Sequence, residues 1–180
     1  TPESRMFAIL GTKAHQALEA YSKEDNTSHA KIISELAIEL NGITGTLDEI
    51  DEDGDKLVLI DHKTSGSYKV AQALEGKMDD WSLQLNFYRV AYEKQAQRVI
   101  TQMKIEAIVR DGGTWMAKKR GIDRNVYMID VPRMEDEKVI RYFTKKKDDL
   151  LAALHNAAVP DICKDEERWG NKKCDDYCVV

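Results

Sequence analysis

Residues 43–65 read ITGTLDEIDEDGDKLVLIDHKTS. Two runs rich in Ile, Val, Leu and Thr flank an acidic tip, and its Asp53-Gly54 pair is a strong hairpin-turn signal. With Asp53 and Gly54 as the two turn residues, Asp48 stands opposite Leu59 and diagonal to Asp61. Directly opposed residues point to one face, as do residues two apart on a strand, so Asp48, Asp61 and Lys63 share a face. Diagonal neighbours lie roughly 7–8 Å apart, close enough for two carboxylates to hold one cation. A cation bound by oxygen ligands polarises a phosphoryl group and lowers the pKa of a bound water. A lysine beside it supplies a point charge for developing negative charge.

The acidic tip itself needs no special function. Glu49, Asp51, Glu52, Asp53 and Asp55 read as solvated residues around a turn. An EF-hand fails, because placing Gly54 at loop position six puts Ile60 where a bidentate Glu is required, and the flanks are strand-like. Asp48 and Asp61 differ from the tip acids. Each follows apolar residues within a strand, where a carboxylate is costly unless paired or metal-bound.

Working outward, residues 31–40 (KIISELAIEL) alternate Ile33, Glu35, Ala37 and Glu39 against Ile32, Leu36, Ile38 and Leu40. Helix propensity competes with this pattern, but the following Asn41-Gly42 is a second hairpin signal, so the stretch reads as the first strand of a meander. Glu35 on that strand is either a further acidic contributor or a solvent-facing residue. Upstream, residues 6–21 carry a helical stripe of Leu10, Ala14, Ala17 and Tyr21. Gly11, a poor helix residue, sits one turn before His15 and permits close approach of another backbone; by itself His15 reads as a surface or hydrogen-bonded residue, and Glu19 either orients its imidazole or forms an exposed pair.

Downstream of Lys63 the chain is polar to Asp80, and Asp79 or Asp80 is placed to cap a helix over residues 81–97. Gln84 and Tyr88 lie on one face of it, close to the stripe formed by Trp81, Leu85 and Tyr92, so by itself the pattern reads as a packed amphipathic helix with an incidental Gln. Residues 99–110 and 125–131 read as strands, with Lys118, Lys119 and Arg120 in a loop between them where phosphate contact is one option. Residues 135–157 read as a long helix with Val139, Ile140, Phe143, Leu150, Leu151 and Leu154 facing the core.

The chain has 180 residues, 42% hydrophobic and 33% charged, a length and composition that suggest one globular, soluble domain. No apolar run approaches transmembrane length and the opening residues have no signal-peptide core, so a cytoplasmic location and no membrane partner are expected. A net charge of −5 argues against a protein held on nucleic acid by bulk charge, though local basic patches can still follow a backbone.

Gly11-x-x-x-His15, Gly45-Thr-Leu-Asp48, Asp61-His-Lys63-Thr-Ser and Gln84-x-x-x-Tyr88 occur here in the order seen in PD-(D/E)XK nucleases. The chain most resembles their RecB-like branch, which includes recombination and phage exonucleases and CRISPR-associated exonucleases. The resemblance implies an α/β fold with a central mixed sheet flanked by helices, the restriction-endonuclease-like core. It implies His15, Asp48 and Asp61 as metal ligands, with the His62 backbone carbonyl completing the site. Lys63 becomes the catalytic lysine, and Gln84 and Tyr88 supporting residues; Glu35 matches an acidic position seen less regularly. The implied reaction is Mg²⁺- or Mn²⁺-assisted hydrolysis of DNA phosphodiesters at DNA ends, in a bacterial or phage-infected cell. A structure-specific endonuclease and an inactive DNA-end-binding module are the rivals, and homo-oligomers and recombination or helicase partners occur among such relatives.

Residues 1–160 are then the nuclease domain and 161–180 a tail holding Cys163, Cys174 and Cys178, the three cysteines of the chain. Clustered thiols in such a chain read as metal ligands or reduced cysteines rather than disulfides. Several RecB-like nucleases carry four cysteines around a [4Fe–4S] cluster. With three here, the resemblance implies a cluster only in an intact parent protein, the tail being part of a truncated iron–sulfur subdomain.

Overall fold

The computed structural model describes residues 10–14, 16, 17, 20, 31–156, 165 and 168. The chain divides into two compact units, Thr1–Phe143 and Thr144–Val180. The first holds a mixed five-stranded sheet of order β1-β2-β3-β4-β5: β1 (Lys31–Leu40), β2 (Ile43–Asp53), β3 (Lys56–Ser65), β4 (Gln102–Val109) and β5 (Val126–Asp130). All neighbours are antiparallel except β3 and β4, which run parallel. A parallel pair needs a crossover, and here α1 (Ser67–Leu74) and α2 (Asp79–Ala96) supply it. The α/β sheet flanked by helices expected from the sequence is the observed architecture.

The β1–β2 turn follows from its sequence. Asn41 and Gly42 both take left-handed φ, 54° and 75°, which a two-residue turn of this kind requires and which Asn and Gly tolerate best. The β2–β3 turn corrects the expectation. Asp53 pairs with Lys56, so Gly54 and Asp55, not Asp53 and Gly54, form the turn. Gly54 takes the positive φ of 60° at the first central position. The register therefore moves by two residues, and Leu59 faces Ile50 rather than Asp48. Because side chains alternate with a period of two, this shift leaves every residue on its expected face.

The core lies between the sheet and α2. Leu47, Ile50, Leu59, Leu85, Val90 and Ile105 are among its fully buried members, each contributing about 1.5–3 kcal/mol by burial. Arg89 is also buried there, paired with Glu93 at 2.9 Å and Asp136 at 2.8 Å. Asn86 donates to the Pro132 carbonyl and accepts the Met134 N–H, tying the segment after β5 to α2.

Other expectations need revision. Asp79 and Asp80 lie inside the first turn of α2 and the cap position is Met78; the acids act there on the helix dipole rather than as caps. The polar stretch after Ser65 is helical as α1, and residues 115–119 form a short helix, α3 (Trp115–Lys119), capped by the Thr114 hydroxyl, which accepts the Ala117 N–H. Lys118 and Lys119 are thus helical, with Arg120 at the helix end. In α4 (Asp136–His155), Val139 is buried and Ile140 and Phe143 pack on the core. Leu150, Leu151 and Leu154 belong to the second unit and are exposed, contrary to the core placement drawn from their spacing. Periodicity identifies an apolar stripe, but burial also needs a partner, and no described residue covers this one.

Candidate active site

The two central strands part where the sequence motifs meet. The β2–β3 ladder runs from Asp53↔Lys56 to Glu49↔Ile60; beyond it β2 remains paired to β1 and β3 to β4. Continued by one step, that register would bring Asp48 opposite Asp61 rather than diagonal to it. In the gap, the Asp48 carboxylate accepts the His62 backbone N–H at 2.8 Å. A side chain thus takes up a donor that the ladder has released, as a buried N–H demands.

Asp61 is 1% exposed and forms an ion pair with Lys63 at 2.7 Å. Two residues apart on β3, they occupy one face. A carboxylate this deep is costly unless paired. The Lys63 ammonium meets part of that cost, so β3 carries its acid and its base as one unit.

Tyr88 comes to the same place from α2. Gln84 donates to its hydroxyl at 2.7 Å, one helical turn away. Burial pushes the Tyr88 phenol above its usual pKa; the Gln84 bond opposes this, and the negative charges of Asp61 and Asp48 add to it while Lys63 subtracts. The phenol is therefore a neutral hydrogen-bonding group that feels all three charged residues. Gly45, at the start of the Gly45-Thr-Leu-Asp48 motif, makes room for it: a Cβ there would lie 3.2 Å from the Tyr88 ring. A groove of about 380 Å³ opens beside this contact, lined by Gly45, Gln84, Phe87, Tyr88, Tyr142 and Phe143 among others.

His62 points to the opposite face of the sheet from its neighbours Asp61 and Lys63. Its ring lies 2.7 Å from Glu106 and 3.9 Å from Glu49, nearly buried between them. Burial lowers the pKa of the imidazole, but the two carboxylates outweigh it and raise the value to about 10. Asp51, on the same face, has a raised pKa from burial and from the charge of Glu49. This acidic seat for His62 was not read from the sequence. The alternation that puts Asp61 and Lys63 inward necessarily turns His62 outward, and that signal was available; its partner Glu106 lies too far along the chain to be paired by inspection.

Glu35 is exposed, in the left-handed region at φ 53° within β1. It sits between the ladder pairs Ser34↔Glu49 and Leu36↔Leu47, so its register position is alongside Asp48. His15, Glu19, Cys163, Cys174 and Cys178 lie outside the described residues. The helical residues around His15 are described in part, and a Cβ on Gly11 would lie 3.2 Å from the Thr64 hydroxyl. The close approach expected at Gly11 is thus to a side chain of β3, rather than to backbone.

Among the described residues, no group of three or more His, Cys, Asp or Glu side chains converges to hold a metal ion. Two carboxylates stand at the end of the β2–β3 ladder, Asp48 and Asp61. One or two carboxylates are the usual protein share of a Mg²⁺ shell, with waters and substrate phosphate filling the rest, so the donor set fits such a cation.

The sequence matches the PD-(D/E)XK nuclease superfamily over residues 2–180. The chain therefore belongs to that superfamily, a class of nucleases that typically use divalent cations such as Mg²⁺. No curated protein matches it. None of the described helices is long and apolar enough to cross a membrane.

Proposed function

We propose that the chain is a divalent-metal-dependent DNA exonuclease of the RecB-like branch, hydrolysing phosphodiesters at DNA ends. The observation that carries this reading is the junction where β2 and β3 part, with Asp48, Asp61 and Lys63 gathered beside the Gln84–Tyr88 pair. Asp48 and Asp61 are the side chains that would hold the cation, with His15 and the His62 carbonyl as the further ligands implied by the family motifs. A bound cation would polarise the phosphodiester and lower the pKa of an attacking water.

The chain's own residues do the rest. Lys63, on the same face of β3 as Asp61 and 2.7 Å from its carboxylate, would present its ammonium to the phosphate oxygens. Tyr88, held by Gln84 and kept protonated by burial, is a neutral donor beside the reacting group. Glu35, whose register position is alongside Asp48, would contribute a further acid in this reading. The tail cysteines belong to an iron–sulfur subdomain in this reading, with DNA as the partner and an oligomer or a helicase partner completing the assembly in a bacterial or phage-infected cell.

The test is degradation of end-labelled linear DNA beside closed circular DNA, with Mn²⁺, with EDTA and with Lys63→Ala. Metal-dependent loss of linear DNA alone, absent in the variant, establishes the exonuclease. Nicking of the circle makes it an endonuclease. No cleavage by folded protein leaves a DNA-end-binding module.

A further inference from the structure

The segment that follows β4 is rich in basic residues. Residues 110–124 hold five Lys or Arg against two Asp, in a protein of net charge −5. Both acids are engaged. Asp111 accepts the N–H and the hydroxyl of Ser67, each at 2.6 Å, and these bonds hold its carboxyl below the usual range. Asp123 accepts the Tyr127 hydroxyl at 2.7 Å. Arg120 in turn donates to the Ser67 hydroxyl at 2.9 Å, so the start of α1, Asp111 and Arg120 form one fixed frame. Because Asp111 already occupies the first turn of α1, that helix end is no anion site.

Two exposed aromatic rings stand on this frame, each with a cation over it. Trp115 is 70% exposed, with the Lys119 ammonium 5.2 Å from its ring centre. Tyr68 is 61% exposed, with the Arg120 guanidinium 5.7 Å away. Large aromatic surface left in water beside fixed positive charge suits a ligand that offers flat rings and negative charge together. Nucleic acid does so: base–aromatic stacking strengthens binding and tolerates any sequence. The frame also follows the candidate site closely along the chain. Lys63 lies on β3 two residues before Ser65, whose carbonyl accepts the Arg110 N–H at 2.9 Å, and the chain then enters α1 and reaches Tyr68.

We propose that Trp115, Tyr68, Lys119 and Arg120 form a contact surface for unpaired DNA, stacking its bases and holding the phosphates of the strand that runs to Asp48, Asp61 and Lys63. A single strand is specified because a duplex hides the base faces that these rings would meet. The inference rests on the nuclease reading for what lies at the strand's end, but binding itself can be measured apart from cleavage.

The experiment is fluorescence anisotropy of a labelled oligo-dT of about twelve nucleotides, within the usual span of single-strand sites, titrated with the full chain in EDTA. Trp115→Ala weakens binding by roughly ten-fold, as loss of one stacked base would. Lys119→Ala lowers the slope of log K against log salt by about 0.7, the loss of one single-strand phosphate contact. Duplex of the same length competes poorly. Both side chains are exposed, so thermal unfolding of the variants should match the parent, and Tyr68→Ala provides a second ring deletion. Unaltered binding in both ring variants, or equal competition by duplex, overturns the proposal. Cleavage in Mn²⁺ by the same preparations separates the two readings. Weakened binding in the variants with no cleavage by the parent keeps the surface and removes the nuclease; cleavage with unaltered binding does the reverse.

Discussion

The Asp48 carboxylate accepts the His62 backbone N–H at 2.8 Å, at the point where β2 leaves β3. Asp48 therefore has two separable roles, closing the end of a ladder and carrying negative charge. Asp48→Asn keeps an oxygen that can accept the bond and removes the charge. It should unfold within about 1 kcal/mol of the parent, while DNA hydrolysis falls by roughly 10²-fold or more. Asp48→Ala removes both and should also lose about 1–3 kcal/mol of stability, since a part-buried N–H is left without its acceptor. Urea unfolding and a cleavage assay on both variants check this; an Asn variant as active as the parent removes the charge role.

Gly45 is explained by Tyr88. A Cβ at Gly45 would lie 3.2 Å from the ring, tighter than side chains normally pack, while its φ is ordinary. Gly45→Ala should move Tyr88 by a few tenths of an ångström and slow cleavage several-fold, with stability changing by no more than about 1 kcal/mol. Combining it with Tyr88→Phe tests the route. If Gly45 acts through the phenol, the double variant should be no slower than Tyr88→Phe alone; additive losses would show that Gly45 acts elsewhere.

Much of this was legible because it is local. Turn chemistry placed both hairpins, since Asn41-Gly42 and the Gly54 turn are written in adjacent residues, and strand alternation put Asp61 and Lys63 together. The two-residue register error arose because Asp53-Gly54 and Gly54-Asp55 are both good turn pairs, and strand pairing rather than the dipeptide chooses between them. The five-residue α3 gave no periodicity to read, and α1 begins without a side-chain cap. The Gly45–Tyr88 contact, the His62–Glu106 pair and the Tyr68–Arg120 stack join residues more than forty positions apart, where no spacing rule applies. The exposed Leu150, Leu151 and Leu154 show the opposite failure, a clear local pattern with no described partner.

His62 predicts a pH dependence of stability. Its folded pKa of about 10 exceeds the ordinary 6.5. A raised pKa means that the folded state binds the proton more tightly. The stabilisation is therefore fully present below about pH 6.5 and is lost as pH rises toward 10. His62→Gln fits the space without the charge, and should be less stable than the parent at pH 6 by up to about 4 kcal/mol. The gap should narrow steadily above pH 7 and nearly close by pH 10. Urea midpoints across that range measure it; a gap independent of pH would mean that His62 serves by packing alone.

Glu35 holds a left-handed φ of 53° inside β1, beside the register position of Asp48. For an L-residue with a side chain this conformation costs about 1–2 kcal/mol, and glycine escapes that cost. Glycine also loses more chain entropy on folding, about 0.5–1 kcal/mol. The two effects nearly cancel with a small gain, so Glu35→Gly should leave stability unchanged or raise it by up to about 1 kcal/mol. Glu35→Val should destabilise by about 1–2 kcal/mol, because a β-branched side chain tolerates positive φ least. Cleavage by the glycine variant then decides what the conformation is for. Undiminished activity would make the strained residue a feature of the sheet alone. A loss of activity in a protein of equal or greater stability would tie the Glu35 carboxylate to the chemistry beside Asp48.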